Sequence, residues 1–300
     1  MFRLVLMAHA RTLTAEVALA DGDQLGEGPN WDEAAQKLLR VDITAGRIHR
    51  YAPASERRST IDVGDLVGFA LPRRDGGLVA GVRNTIVLLE AGGGRRIIAR
   101  VERHRPENRF NDARCDAVGR LWAGTLSMVR EPGAAALYRV DPDGAVQAVR
   151  RDMTICNGLG WSPNNRLMYV IDSLTQRIDV YDFDLVAGAI HDRRTLVEVD
   201  AADGLPDGLT VDAEGGVWVA LFGGGAVRRY TPAGELDTVV LLPATNCTCP
   251  AFGGAELDEL YVTSARHRLS DEQLARQPLA GALFRVRPGV RGRPQHRFAG

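Results

Sequence analysis

Cysteine is scarce in this 300-residue chain: only Cys115, Cys156, Cys247 and Cys249 occur. None stands in a C-x-x-C pair or beside histidines at zinc-finger spacing, so neither a disulfide framework nor a structural zinc site is expected. Cys247 and Cys249 enclose too short a loop for an unstrained bridge, and the reading is reduced thiols in a cytoplasmic protein. Lysine is scarcer still, with Lys37 alone among 37 basic residues, and the net charge is −1. Such a balance gives no electrostatic reason to invoke nucleic acid or an anionic membrane. No apolar run approaches the ~20 residues that a membrane span needs. The opening "MFRLVLMAHARTL" carries a short apolar patch broken by His9 and Arg11, with no convincing cleavage site, and is not expected to be a signal peptide. Helical periodicity is nearly absent outside "SDEQLARQ". Also missing are a G-x-S-x-G nucleophile elbow, the Lys-Ser/Thr of a phosphate loop, and EF-hand spacing with its terminal Glu.

The chain does contain a repeat. "NGLGWS" from Asn157 aligns with "EGPNWD" from Glu27, "NDARCD" from Asn111 and "DGLTVD" from Asp207. Four positions beyond each first residue stand Trp31, Cys115, Trp161 or Val211, and the next residue is Asp32, Asp116, Ser162 or Asp212. A turn follows, then an apolar strand ("LLRVDI", "LWAGTL", "LMYVIDS", "VWVALF") and a further one ("RIHRYAP", "ALYRVDP", "RIDVYDF", "AVRRYTP"). Two weaker copies begin at Val67 and Pro250. The anchors 27, 67, 111, 157, 207 and 250 are spaced by 40, 44, 46, 50 and 43 residues, the period of a four-stranded propeller blade. A fourth short strand follows in the units, as in "STIDV", "RIIARV" and "RTLVEV". The spacing predicts an all-β, six-bladed β-propeller of four-stranded antiparallel blades, one domain over residues 1–300, with the strand near "AEVALA" closing the ring against the last blade.

Approximate rotational symmetry turns repeat-equivalent residues into a ring around the channel. Glu27, Asn111, Asn157 and Asp207 then bring two carboxylates and two carboxamides towards one axis, with Val67 and Pro250 at the remaining places. Any one of these residues, alone, is explained by turn chemistry, because Asn-Gly and Asp-Gly turn well. Four oxygen-bearing side chains in register favour a cation, since two inward carboxylates would otherwise repel each other and lose hydration without compensation. The six histidines share no repeat position; His104 and His267 alone fall near a predicted mouth loop.

Along essentially its whole length the chain resembles the regucalcin, gluconolactonase and luciferin-regenerating-enzyme family. The matching blocks are "LGEGPNWDEAAQKLLRVDI", "RFNDARCDAVGRLWAGT", "ICNGLGWSPNNRLMYVIDS", "LPDGLTVDAEGGVWVALFGGGAV" and "AFGGAELDELYVTSAR". The resemblance implies one divalent cation at the channel mouth, held by Glu27 of "GEGP", Asn157 of "CNGL" and Asp207 of "PDGL". It also implies that Arg109 and Asn111 of "RFND" contact substrate. Calcium is the first choice for this oxygen set, with magnesium, manganese, zinc and iron compatible. The chain departs from the pattern in one place. Family members with sugar-lactonase activity carry acidic residues shortly after "AGT", where this chain has Met128 and Val129, and Glu131 would reach the site only if the loop shifted.

The expected reaction is hydrolysis of a lactone, a sugar lactone of the gluconolactone type, with the cation as Lewis acid and Asp207 as general base. The expected partner is a small-molecule lactone, with no nucleic acid and no membrane, and the chain is expected to be a monomer or homodimer. An esterase or phosphotriesterase-like hydrolase on the same propeller and a non-catalytic calcium-binding propeller are the alternatives.

Overall fold

A computed structural model describes residues 10–300; the signal-peptide expectation and His9 fall largely on residues 1–9, outside the described residues. Two short strands come first, β1 (Arg11–Thr14) and β2 (Glu16–Leu19). Blade one is β3 (Gly26–Asp32), β4 (Lys37–Asp42), β5 (Arg47–Ala52) and β6 (Arg57–Asp62). Blade two is β7 (Val67–Pro72), β8 (Leu78–Val82), β9 (Thr85–Leu89) and β10 (Arg95–Arg100). Blade three is β11 (Asn108–Cys115), β12 (Leu121–Ser127), β13 (Ala135–Val140) and β14 (Val146–Met153). Blade four is β15 (Cys156–Trp161), β16 (Leu167–Asp172), β17 (Arg177–Asp184) and β18 (Ala189–Glu198). Blade five is β19 (Leu205–Val211), β20 (Val217–Phe222), β21 (Ala226–Tyr230) and β22 (Leu236–Leu241). Blade six takes β23 (Cys247–Gly253), β24 (Glu259–Ser264) and β25 (Leu283–Val286) from the end of the chain and β2 from its beginning.

The chain is therefore a six-bladed propeller, closed where β2 pairs antiparallel with β25, Val17 opposite Phe284. Closure through two distant segments supplies the outer strand of blade six from the start of the chain and ties the last blade to the first. One strand was not foreseen: β1 runs parallel to β22 and adds a fifth strand to blade five. Outer strands such as β6 ("RRSTID") and β10 ("RRIIAR") put arginines on the exposed edges, which discourages edge-to-edge association. "SDEQLARQ" supplies the one described α-helix, α1 (Asp271–Arg276), opened by a capping box between Ser270 and Gln273.

The two register positions beyond the anchors have structural work. The residue four beyond each anchor wedges against the blade before it. Trp161 meets Trp122 edge-on at 6.1 Å, and Trp31 stacks on Tyr261 at 6.3 Å. Phe252 meets Trp218 at 5.9 Å, and Val211 packs in one cluster with Tyr169. A chain that is only 6% aromatic thus spends its rings at blade interfaces, where each buries a large apolar area. The residue five beyond holds the turn. Asp116 accepts from the backbone of Val118, Gly119 and Arg120 and from the Trp122 indole at 2.9 Å. Asp212 does the same for Glu214, Gly216 and the Trp218 indole. Below these turns the tail crosses the end of the channel, bonding Ala213 through Arg291, Pro72 through Phe298 and Gly119 through Ala299.

Candidate metal centre

The innermost strand of each blade breaks register with its neighbour at the anchor. The β15–β16 ladder jumps between Cys156 and Leu159, the β19–β20 ladder between Pro206 and Leu209, and the β3–β4 ladder between Glu27 and Asn30. A bulge of this kind turns a side chain out of the pleat, here towards the channel. Blade six corrects one anchor. Its jump lies between Cys247 and Pro250, and Pro250 pairs with Val262, the register place of Leu159 and Leu209. Thr248, four residues before Phe252, is the true equivalent. The anchor expected at Pro250 therefore lies two residues too far along the chain. Thr248 donates its hydroxyl to the Gly26 carbonyl at 2.6 Å and Val67 is core, so neither place brings a charge to the ring.

Gly28, after Glu27, has a left-handed backbone (φ 51), but the glycines after three other anchors are not turn residues. Gly68, Gly158 and Gly208 lie inside inner strands and none has a positive φ. A Cβ on Gly158 would lie 2.4 Å from the Leu209 nitrogen, one on Gly208 2.3 Å from the Cys249 sulfur, and one on Gly68 2.3 Å from the Phe110 carbonyl oxygen. They are glycine because neighbouring inner strands crowd together at the axis. That crowding carries the anchors of adjacent blades into reach of one another.

Asn157 Nδ2 donates to Asp207 Oδ1 and, at 3.1 Å, to Ser173 Oγ. Its carbonyl Oδ1 is buried with no partner. Glu27 Oε2 accepts from the Gly28 amide at 2.9 Å. Burial pushes both carboxyls up, Asp207 well above the carboxylate range with the Glu27 charge adding to it, and Glu27 with Asp112 adding to it. Two carboxyls that resist ionisation and a buried amide oxygen without a donor fit a hard divalent cation, which would satisfy all three with oxygen ligands. Among the described residues no three of His, Cys, Asp and Glu come together; the donor set is two carboxylates and one amide, without the nitrogen or sulfur that zinc prefers.

Arg109, buried beside them, is lowered to about 10 by desolvation against the opposing pull of Glu27 and Asp207. Its Nη1 donates to the Phe110 carbonyl at 2.8 Å and to Asn111 Oδ1 at 2.9 Å. Asn111 in turn donates to the Cys156 carbonyl at 3.1 Å. All five residues singled out in the sequence, Glu27, Arg109, Asn111, Asn157 and Asp207, line one cavity of about 270 Å³. The wall above them is largely apolar, with Leu25, Ile43, Leu126, Ile155 and Leu205, and the rim carries Met128, Arg130, His267 and Arg268. Glu131 does not enter: it is 57% exposed and paired with Arg105 at 3.1 Å.

Several contributors escaped sequence reading. Asp42 accepts from Gln24 and Leu25, and Asp172 from Thr154 and Ile155. These carboxylates clamp the segments leading into Glu27 and Asn157, and the recurring "VDI" and "IDS" were the available signal. Ser173, next to Asp172, had none. Beneath the anchors Asp112 and Arg114 pair at 3.3 Å within the channel. His267 lines the cavity while His104 does not. All four cysteines are free and buried; burial raises their thiols, which fits the expectation of structural residues.

Residues 25–266 match the model of the SMP-30/Gluconolactonase/LRE-like region. Regucalcin of Danio rerio is 36% identical over 294 residues, covering 96% of this chain and 99% of the relative. A luciferin-regenerating enzyme superposes with a TM-score of 0.89 at 32% identity, covering 95% of this chain and all of that one. A calcium-binding regucalcin from Agrobacterium tumefaciens superposes with a TM-score of 0.91 at 28% identity, covering 97% and 99%.

Proposed function

Because the chain belongs to the SMP-30/gluconolactonase/LRE-like family, we propose that it is a lactonase that opens a cyclic ester at the cavity on the propeller axis. The observation that carries the reading is the buried, partnerless Oδ1 of Asn157, set beside two carboxyls whose pKa values burial raises. Glu27, Asn157 and Asp207 would hold the divalent cation, and the calcium-binding relative makes calcium the first candidate. When bound, such a cation supplies Lewis-acid polarisation of the ester carbonyl and lowers the pKa of attacking water.

The chain's own residues supply the rest. Asn157 donates to Oδ1 of Asp207, which leaves Oδ2 to accept the proton of the attacking water. Arg109 has Nη1 committed to Phe110 and Asn111; Nε and Nη2 remain to donate to the carbonyl oxygen as negative charge develops there. Asn111 is bonded on both sides, to Arg109 and to Cys156, and so fixes the guanidinium as well as facing the cavity. The apolar wall keeps bulk water from these groups and strengthens each interaction. Esters are activated relative to amides, so this small set of groups suffices.

A pH-stat assay on a panel of lactones, with chelator-stripped and calcium-reloaded protein, tests the reading. Ring opening that is lost on stripping and restored on reloading is expected. Activity indifferent to the chelator would sink the role of the cation. No turnover of any lactone would return the chain to a cation-binding propeller.

One observation favours a second reading, an esterase or phosphotriesterase-like hydrolase. His267 lines the same cavity, and burial together with Arg268, Arg109 and Arg130 lowers its pKa, leaving a neutral imidazole that can accept a proton. Loss of turnover in H267Q with retention in D207N would move the base to His267.

A further inference from the structure

The rim of the cavity carries two arginines that the proposed lactone chemistry does not use. Arg130 lies in the loop between β12 and β13, and Arg268 in the loop between β24 and α1. Both line the same 270 Å³ cavity as Glu27, Asn157 and Asp207. Among the described residues neither guanidinium is in an ion pair or a side-chain hydrogen bond. Their loops are not casual. Both residues have left-handed backbones, φ 57 for Arg130 and φ 63 for Arg268, a conformation with a steric cost for a side chain of this kind. Ser127 holds the first: its carbonyl accepts from Arg130 N at 2.9 Å and its hydroxyl from Glu131 N at 3.1 Å. The second is held by His267 N on the Gln24 carbonyl at 2.9 Å and Leu269 N on the Arg266 carbonyl at 3.1 Å.

The two guanidiniums repel each other. Beyond partial burial, the influence that lowers Arg130 is the charge of Arg268, and no carboxylate opposes it. Charge counting across the cavity points the same way. Its acids are Glu27 and Asp207 and its arginines are Arg109, Arg130 and Arg268. Once a divalent cation is matched to the two carboxylates, three positive charges stand without an anion. Glu131, the acid nearest Arg130 in sequence, is turned away onto Arg105. Between the rim and the axis lies apolar wall, which offers little to a ring of free hydroxyls.

We propose that Arg130 and Arg268 form a clamp for an anionic group on the substrate, so that the preferred ester carries a phosphate or carboxylate apart from its reacting carbonyl. Guanidiniums bind such oxyanions through paired, charge-assisted hydrogen bonds. The inference rests on the lactonase reading for the reacting end, but the clamp itself is a matter of binding.

Binding of hydrolysis-product analogues tests it without turnover. Calorimetric titration of the calcium-loaded protein with gluconate, glucarate and 6-phosphogluconate compares one, two and two anionic ends. The phosphate or the second carboxylate is expected to tighten binding by ~10-fold or more, with an advantage that shrinks as salt rises. In R130Q/R268Q, whose replaced residues are at the exposed rim, the probes should bind alike. The relative strength of glucarate and 6-phosphogluconate tells whether the clamp suits carboxylate or phosphate. Equal binding of all three by the parent, or a preference that survives in the double variant, overturns the clamp. A preference lost in the variant, in a protein that opens no lactone, leaves the clamp standing and sinks the hydrolase reading alone.

Discussion

Asn157 and Asp207, fifty residues apart in the chain and on adjacent blades, are joined by a hydrogen bond from the Asn157 amide nitrogen to the Asp207 carboxyl. The bond spends the nitrogen on blade five and leaves the carbonyl oxygen of the same amide buried and free. Ser173 Oγ takes the other amide hydrogen. The orientation of the amide is thereby set, oxygen towards the axis.

Ser173→Ala should therefore weaken calcium binding by ~10–100-fold, the usual cost of losing a group that orients a ligand. Asn157→Ala, which removes the ligand oxygen itself, should cost more. Calorimetry on chelator-stripped protein measures both. Unchanged affinity in Asn157→Ala would remove it from the ligand set.

Cation binding should be linked to protons. Glu27 and Asp207 have raised pKa values in the cation-free protein, and both must ionise to bind, so affinity should rise with pH and binding should release protons. Stability follows with the opposite sign. A carboxyl raised in the folded state contributes stability that is present below its unfolded value and is lost as pH rises through the folded one. Stripped protein should lose thermal stability from pH 4.5 towards neutrality more steeply than calcium-loaded protein. Asp23, raised to about 7 by burial, acts equally in both forms and cancels in the comparison. Parallel melting curves with and without calcium at every pH would contradict this.

Arg109→Ala should keep the cation and lose turnover, by roughly 100-fold or more if its guanidinium meets developing charge. Asn111→Ala should fall in the same direction by less, since Arg109 keeps its bond to the Phe110 carbonyl. Steady-state kinetics on any accepted lactone, beside a calcium titration, separates rate from metal loss. An Arg109→Ala enzyme with parental kcat/KM would remove the residue from the reaction.

Gly158→Ala should be destabilising by about 1–3 kcal/mol or more, because the added carbon meets the Leu209 nitrogen at 2.4 Å. Denaturant unfolding measures that cost. Forcing blades four and five apart should also loosen Asn157 from Asp207 and lower calcium affinity. A turn glycine would do neither, and an unaltered variant would restore the turn explanation.

Blade count, strand order within blades, ring closure through "AEVALA" and the convergence of Glu27, Asn157 and Asp207 were legible because a repeat converts sequence spacing into rotational position. The legibility ended where the repeat is weakest. In blade six the anchor had to be read from pairing, Pro250 opposite Val262, which moves it to Thr248. Strand β1 was missed because a parallel fifth strand belongs to no repeat. Ser173 and the rim residue Arg268 were missed as site residues because nothing in their own neighbourhood marks them, and His267, placed near a mouth loop by its spacing, could not be told from His104 until the loops were seen to return over the mouth.

By itself the sequence determined the period of strands, the polar side chains at its anchors and the small residues beside them, since those are properties of each repeat taken singly. Only the tertiary structure decided what they do together. Ring closure presses six inner strands so near the axis that a glycine next to each of several anchors is a matter of room rather than of turning. It also buries two carboxyls and an amide side by side at the axis, largely out of water, and the electrostatic cost of that burial exists in no single repeat.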